Sequence, residues 1–165
     1  WTRVSEISIK ESETIYPIIW ALEALAVSLA TARLTKADIQ KMKQANIDLG
    51  KALDEKEPVK ASQADIRFHD VFIERAGNPH IISILDDLKI RCRRMEVTYF
   101  GGSACSKDSM AEHDRLIKAL KSRDVALAQS MLQANWQNSL KRIKDAECTT
   151  NIDQHPHLRS QTNEH

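Results

Sequence analysis

Val59-Lys-Ala-Ser-Gln-Ala-Asp65-Ile-Arg-Phe68-His69-Asp-Val-Phe72-Ile-Glu-Arg-Ala76-Gly77-Asn78-Pro79 is the stretch whose reading decides the fold class. Projected at about 100° per residue, Lys60, Gln63, Arg67, Asp70 and Glu74 gather on one side as a solvated face. Ala61, Phe68, Phe72 and Ala76 gather on the other. The pattern predicts a helix from about Val59 to Ala76, stopped at Gly77, which suits a left-handed C-terminal cap. Asn78-Pro79 then reads as N-cap and first residue of a long helix to about Phe100. Asp65 and His69 fall on the core side, one turn apart and beside the two phenylalanines. A buried carboxylate is costly unless a cation or strong donors compensate it, so this pair demands a partner.

The same helical period extends in both directions. Upstream, Ser8-Ile-Lys-Glu11 has the form of a capping box, followed by Ile15, Ile18, Ile19, Leu22, Leu25, Ala26 and Leu29 at helical spacing. Pro17 predicts a break or kink near Tyr16. Thr35-Lys-Ala-Asp38 is a second capping box, opening a helix through Ile39, Met42, Ile47 and Leu49 towards Pro58. Downstream, Gly101-Gly102-Ser103 is the clearest break in the chain. Helices of roughly Ser106 to Lys121 and Asp124 to Ala146 follow, joined at Ser122-Arg123. The apolar pattern dies from Cys148, and Asn151 to His165 is expected to be a frayed tail. Strand alternation, internal repeats and sustained heptads are all absent from the sequence. The expectation is an all-α antiparallel bundle of six to seven helices spanning residues 1–147, with a disordered tail over 148–165.

Composition agrees and excludes other classes. The 165 residues are one domain's worth of chain, and four glycines with four prolines are too few to turn a many-stranded sandwich or barrel. Twenty-four basic against 23 acidic side chains leave a formal charge of +1, without the basic excess of a domain that grips nucleic acid. Cys92, Cys105 and Cys148 are widely spaced and odd in number, which argues against a disulfide framework and fits a reducing cytoplasm. The apolar run Ile18–Ala30 contains Glu23 and falls short of the ~20 residues of a membrane span, so no membrane partner is expected. A chain opening at Trp1 rather than Met reads as a fragment of a longer protein.

Two further helices repeat the polar intrusion at Asp65 and His69. His113 sits at the centre of the stripe formed by Met110, Leu116, Ile117 and Leu120. Asn135 lies among Leu127, Ala128, Met131 and Leu132, with Ser139 one turn on. An Asp oxygen, two imidazoles and an amide oxygen suit a divalent transition metal such as zinc, nickel or manganese, with positions left for water or a ligand. Each residue also has a plainer reading: a hydrogen-bonded core histidine, a helix-face Asp–His ion pair, a core amide. Spacing alone leaves both open. A mononuclear metal-dependent hydrolase or isomerase could use the same ligands. Against it, Glu112 points off the His113 stripe, and no spare Glu or His falls on the core faces as a general base.

Leu22-Glu-Ala-Leu-Ala26, Ala32-Arg-Leu-Thr35, Asp65-x-x-Phe-His69, Gly77-Asn-Pro79 and Glu112-His113, in that order, resemble the FadR-type ligand-sensing domain (FCD). This is the C-terminal half of many GntR-family bacterial transcription regulators, and the resemblance runs from about Ser5 to Lys144. It implies a cytoplasmic, non-enzymatic, usually homodimeric bundle whose internal cavity binds a small-molecule effector, commonly a carboxylate such as an organic or sugar acid. It also implies a metal held by Asp, His, His and a further His. The first three positions match Asp65, His69 and His113, while the fourth is Asn135 here. Where many members carry an effector-facing Arg on the first helix, this chain has Ile19. Arg91, Arg93 and Arg94 are the nearest substitutes, with Arg94 matching a basic position in similar sequences. The family's winged helix-turn-helix, through which DNA is bound, would precede residue 1. Ile66, Ile73, Ile82, Ile90 and Val97 lie outside the core stripes of their helices and suggest the dimer surface.

Overall fold

The computed structural model describes residues 9–101 and 107–154, the side chains of 9, 94, 95, 98–101, 107 and 146–154 excepted. Six helices account for the described chain: α1 (Ile9–Ala30), α2 (Lys36–Asp54), α3 (Pro58–Ala76), α4 (Pro79–Gly101), α5 (Lys107–Ser122) and α6 (Val125–Gln154). No strand occurs among the described residues. α3 packs against α1, α2 and α4, while α6 packs against α1, α4 and α5.

Local chemistry sets most boundaries. The Thr35 hydroxyl accepts from the Asp38 amide at 3.2 Å, and the Asp38 carboxylate accepts from the Thr35 amide at 2.9 Å, completing the capping box of α2. α3 ends on Gly77 at φ 66°, with its amide donating to the Glu74 carbonyl. The Asn78 side-chain oxygen then accepts from the amides of His80 and Ile81 at the head of α4. Asp124 plays the same part for α6 through the Leu127 amide. The Ser8 box and the Gly102-Ser103 break lie outside the described residues.

Several expectations need correction. α1 continues through Pro17 without interruption. Proline removes one backbone donor, and the burial of Ile15, Tyr16 and Ile19 on either side of it holds the helix together. By length and composition, Lys10–Ala30 is apolar enough to cross a membrane, which the shorter run Ile18–Ala30 did not suggest. Its Glu23 is fully buried against polar partners from three other helices, so that face of α1 packs into the bundle interior. α6 runs past Ala146 to Gln154 on its own backbone hydrogen bonds, and the rest of the expected tail lies outside the described residues. Ile47 is half exposed, while Ile73 is buried because α4 covers that side of α3.

Candidate metal centre

The interior where α3, α5 and α1 meet is polar. Ligand-capable atoms of Asp65, His69 and His113 all lie within 4.8 Å of one another, with both histidines buried and Asp65 largely so. α3 supplies the first two because residues four apart share a helix face. α5 supplies His113, whose Nε2 stands 3.4 Å from Asp65 Oδ1.

Each imidazole is oriented by a neighbour on its other nitrogen. His69 Nδ1 lies 2.8 Å from Glu23 Oε2, which also accepts the Trp136 indole N–H at 2.8 Å. His113 Nδ1 donates to Asn46 Oδ1 at 3.0 Å, and Asn46 is itself fixed by donating to the Met110 carbonyl and Asp114. Phe68 stacks on the His113 ring. Nε2 of His113 is left buried with no hydrogen-bond partner. Holding Nδ1–H on a carboxylate or carbonyl oxygen while Nε2 stays open is how proteins prepare histidines for metals.

The electrostatics are uneven. Burial disfavours the charged form of His69, but Glu23 outweighs it and raises the imidazole pKa above its ordinary value. For His113 burial and the nearby His69 act together, holding the pKa well below the ordinary range. Burial raises the pKa of Asp65, and no neighbour fully offsets it. Glu23 moves the other way: burial opposes its charge, yet His69 and Lys89 bring its pKa down to about 2. A metal-free centre therefore holds an imidazolium–carboxylate pair at His69–Glu23 and a neutral His113.

Asn135 is buried on α6, but its side-chain nitrogen donates to Glu112 Oε2 at 2.8 Å, leaving only its oxygen for any other role. Glu112 is not turned away from the interior, as the sequence suggested. It is 7% exposed and gripped by both Arg142 guanidinium nitrogens at 2.9 and 3.0 Å and by Asn138. The arginine cluster of α4 does not supply the expected cation among the described residues. Arg91 pairs with Glu11 at the surface, Arg93 is exposed, and the Arg94 side chain lies outside the described residues. Ile19 is wholly within the apolar core.

A cation that does reach the centre is Lys89, which went unnoticed in the sequence. It is 9% exposed, with Nζ 2.8 Å from Glu23 Oε1 and 3.7 Å from Asp70 Oδ1. Leu85, Lys89, Cys92 and Glu96 are all buried at spacings of four, three and four, so the sequence carried the signal as a helical face with charges in it. Glu23 was visible as the one charge inside the apolar run of α1. Trp136 and Asn46 offered no comparable signal. Two surface clefts of about 290 and 350 Å³ flank α2 and α3 and do not include Asp65, His69 or His113.

No curated protein matches this sequence. Among solved structures, E. coli McbR/YncC is similar in fold, with a TM-score of 0.79 at 19% identity over 86% of this chain and 68% of that chain. The family model of the FCD domain matches residues 14–138, which include α2 to α5, most of α1, and Asp65, His69, His113 and Asn135. On that match, this chain belongs to the FCD domain family.

Proposed function

We propose that this domain is the effector-binding and dimerisation half of a GntR-family transcription regulator, sensing a small carboxylate metabolite beside a divalent metal. The observation that carries the metal reading is the buried, unpartnered His113 Nε2 facing Asp65 and His69. A cation between them relieves the cost of burying Asp65 and gives that nitrogen a partner. Zinc, nickel and manganese suit the donor set, with Asn135 offering its oxygen as the weaker fourth ligand. Bound metal would supply a Lewis-acidic point for the effector's carboxylate.

The surrounding residues come from five helices: Glu23 on α1, Asp65 and His69 on α3, Lys89 on α4, His113 on α5, Asn135 and Trp136 on α6. A ligand drawn into that space would bridge several helices at once, which is how binding energy can bias the arrangement of a bundle and its dimer. The output would be altered DNA binding by a winged helix-turn-helix domain outside this chain. Exposed Ile18, Leu25 and Leu29 on one face of α1 offer apolar surface for a homodimer.

Elemental analysis and native mass of the purified domain, before and after chelation, test the proposal. Metal together with a co-purified organic acid, and melting shifts by organic or sugar acids that vanish on chelation, are the expected results. Metal with catalytic turnover would favour a hydrolase or isomerase instead. A chain that takes up neither metal nor acid would overturn the sensor reading.

A further inference from the structure

Two buried polar atoms beside the centre stand close together with their hydrogen-bonding capacity unused. Lys89 Nζ on α4 and Glu23 Oε1 on α1 are 2.8 Å apart as an ion pair, yet neither makes an aligned hydrogen bond with any described residue. Short distance alone does not make such a bond, because misalignment weakens it steeply. Glu23 Oε2 is already occupied, by His69 Nδ1 and the Trp136 indole N–H at 2.8 Å each. What remains is one donor head and one acceptor oxygen, both on buried side chains, where unmade hydrogen bonds are costly.

The pair adjoins the candidate ligands. Glu23 holds the Nδ1 edge of His69, leaving the Nε2 edge for the cluster with Asp65 and His113. Lys89 Nζ is also 3.7 Å from Asp70 Oδ1, on a side chain that is 39% exposed, so these charges extend from the interior to the rim of the bundle. Chemistry restricts what would fit between Lys89 and Glu23. An ammonium would meet Lys89 and a second carboxylate would meet Glu23, each a like charge at close range. An apolar group would leave both atoms unpaired. An alcohol hydroxyl accepts and donates at once, so one such group takes an N–H from Lys89 and gives its own proton to Glu23 Oε1.

We propose that Lys89 and Glu23 form the hydroxyl-recognising end of the effector site, making the effector a hydroxylated carboxylate. The inference rests on the metal-dependent sensor reading: the carboxylate goes to the ion and a hydroxyl, across the width of the His69 ring, to the Lys89–Glu23 pair. An α-hydroxyl stays beside the carboxylate it adjoins, so the hydroxyl concerned lies further along the chain. That selects acids of the sugar-acid type over plain organic acids, dicarboxylates and amino acids.

Calorimetric titration of the metal-loaded chain with length-matched acids tests it: D-gluconate against hexanoate, and 4-hydroxybutyrate against butyrate. The hydroxylated member of at least one pair should bind about tenfold tighter or more, as expected where the wrong ligand leaves buried polar groups unpaired. Adipate, which offers a second carboxylate instead, should show no such gain over hexanoate. Lys89→Met should erase the preference while the metal stays bound, and Lys89→Arg, which restores a cationic donor, should recover part of it. Should Lys89→Met fail to fold, the wild-type pairs alone decide. Equal or better binding of the unhydroxylated acids overturns the inference and leaves the sensor reading standing. So does adipate binding as well as gluconate, a Lys89→Met chain that keeps the preference, or a panel in which no hydroxylated acid binds. Loss of metal from Lys89→Met would make Lys89 a support of the ligand set and also overturn it. A wild-type chain that takes up neither metal nor acid ends both readings.

Discussion

Phe68 and His113 stack face to face, with ring centroids 3.7 Å apart and planes 7° from parallel. The contact joins α3 to α5 and, with the Asn46 hydrogen bond, fixes both the plane and the tautomer of the imidazole. Phe68→Leu should lower unfolding free energy by about 1–3 kcal/mol, as core shape changes do. It should also weaken metal binding by roughly tenfold, the low end for losing a ligand-orienting neighbour. Denaturant unfolding of chelated protein and a metal titration separate the two effects. Unchanged metal affinity would show that Asn46 alone suffices to orient the ring.

His69→Ala and His113→Ala should each abolish metal uptake and effector response together. His80, exposed in the first turn of α4, should tolerate alanine without either loss. Asn135→His should tighten the metal, because imidazole is the better ligand for zinc or nickel. Its test is a chelator competition, and weaker binding would place Asn135 with Glu112 and Arg142 rather than with the ion.

Metal uptake should release a proton. In the metal-free centre Glu23 raises the pKa of His69 above its ordinary value and so favours the protonated ring, whereas a ligating imidazole must be neutral at Nε2. Apparent affinity should therefore rise with pH and fall as pH drops from about 8 to 6, the side on which histidine becomes charged. Titrations in buffers of different ionisation enthalpy count the protons. Glu23→Gln should reduce that proton release while lowering affinity about 10- to 100-fold through loss of the group that orients His69.

Much of this arrangement was legible in the sequence, and the rest was hidden for a physical reason. The capping box at Thr35, the Gly77 stop and the Asn78-Pro79 start are local interactions between residues within four of one another, so sequence carries them directly. Asp65, His69 and His113 were visible because each breaks an apolar stripe. Lys89, Glu96 and Glu112 were not, since charged residues on mixed helix faces look like solvated surface until the neighbouring helix is placed. The continuity of α1 through Pro17 was hidden likewise, because packing by distant residues outweighs a local penalty.

Asp38 ties the head of α2 to α3, accepting from Thr35 and from the Arg75 guanidinium at 2.9 Å. Burial opposes its charge, but these hydrogen bonds prevail and bring its pKa down from 3.8 to about 2. A depressed carboxylate contributes stability that is complete above its unfolded pKa and is lost as pH falls through the folded one. That contribution should fade between about pH 4 and 2. Asp38→Ala should cost about 1–2 kcal/mol at neutral pH, the usual scale for a lost cap, and show a correspondingly weaker acid dependence in thermal melts.

Sedimentation should give twice the 18.7 kDa chain mass at micromolar concentration. Leu25 is 47% exposed on the apolar face of α1, and Leu25→Glu should shift the equilibrium towards monomer without altering metal uptake. Monomer alone in the unaltered chain would remove α1 as a dimer surface.

The Trp136 indole donates to the same Glu23 oxygen that holds His69, and its ring lies 5.3 Å from the imidazole. A protonated imidazole that close is an efficient quencher of indole fluorescence, and a neutral, metal-bound one is far weaker. If the centre binds metal as proposed, the domain would contain its own optical gauge of occupancy. In a chain whose other tryptophans, Trp1 and Trp20, are replaced by Phe, emission should brighten as zinc enters and dim again as a chelator removes it, without any attached dye.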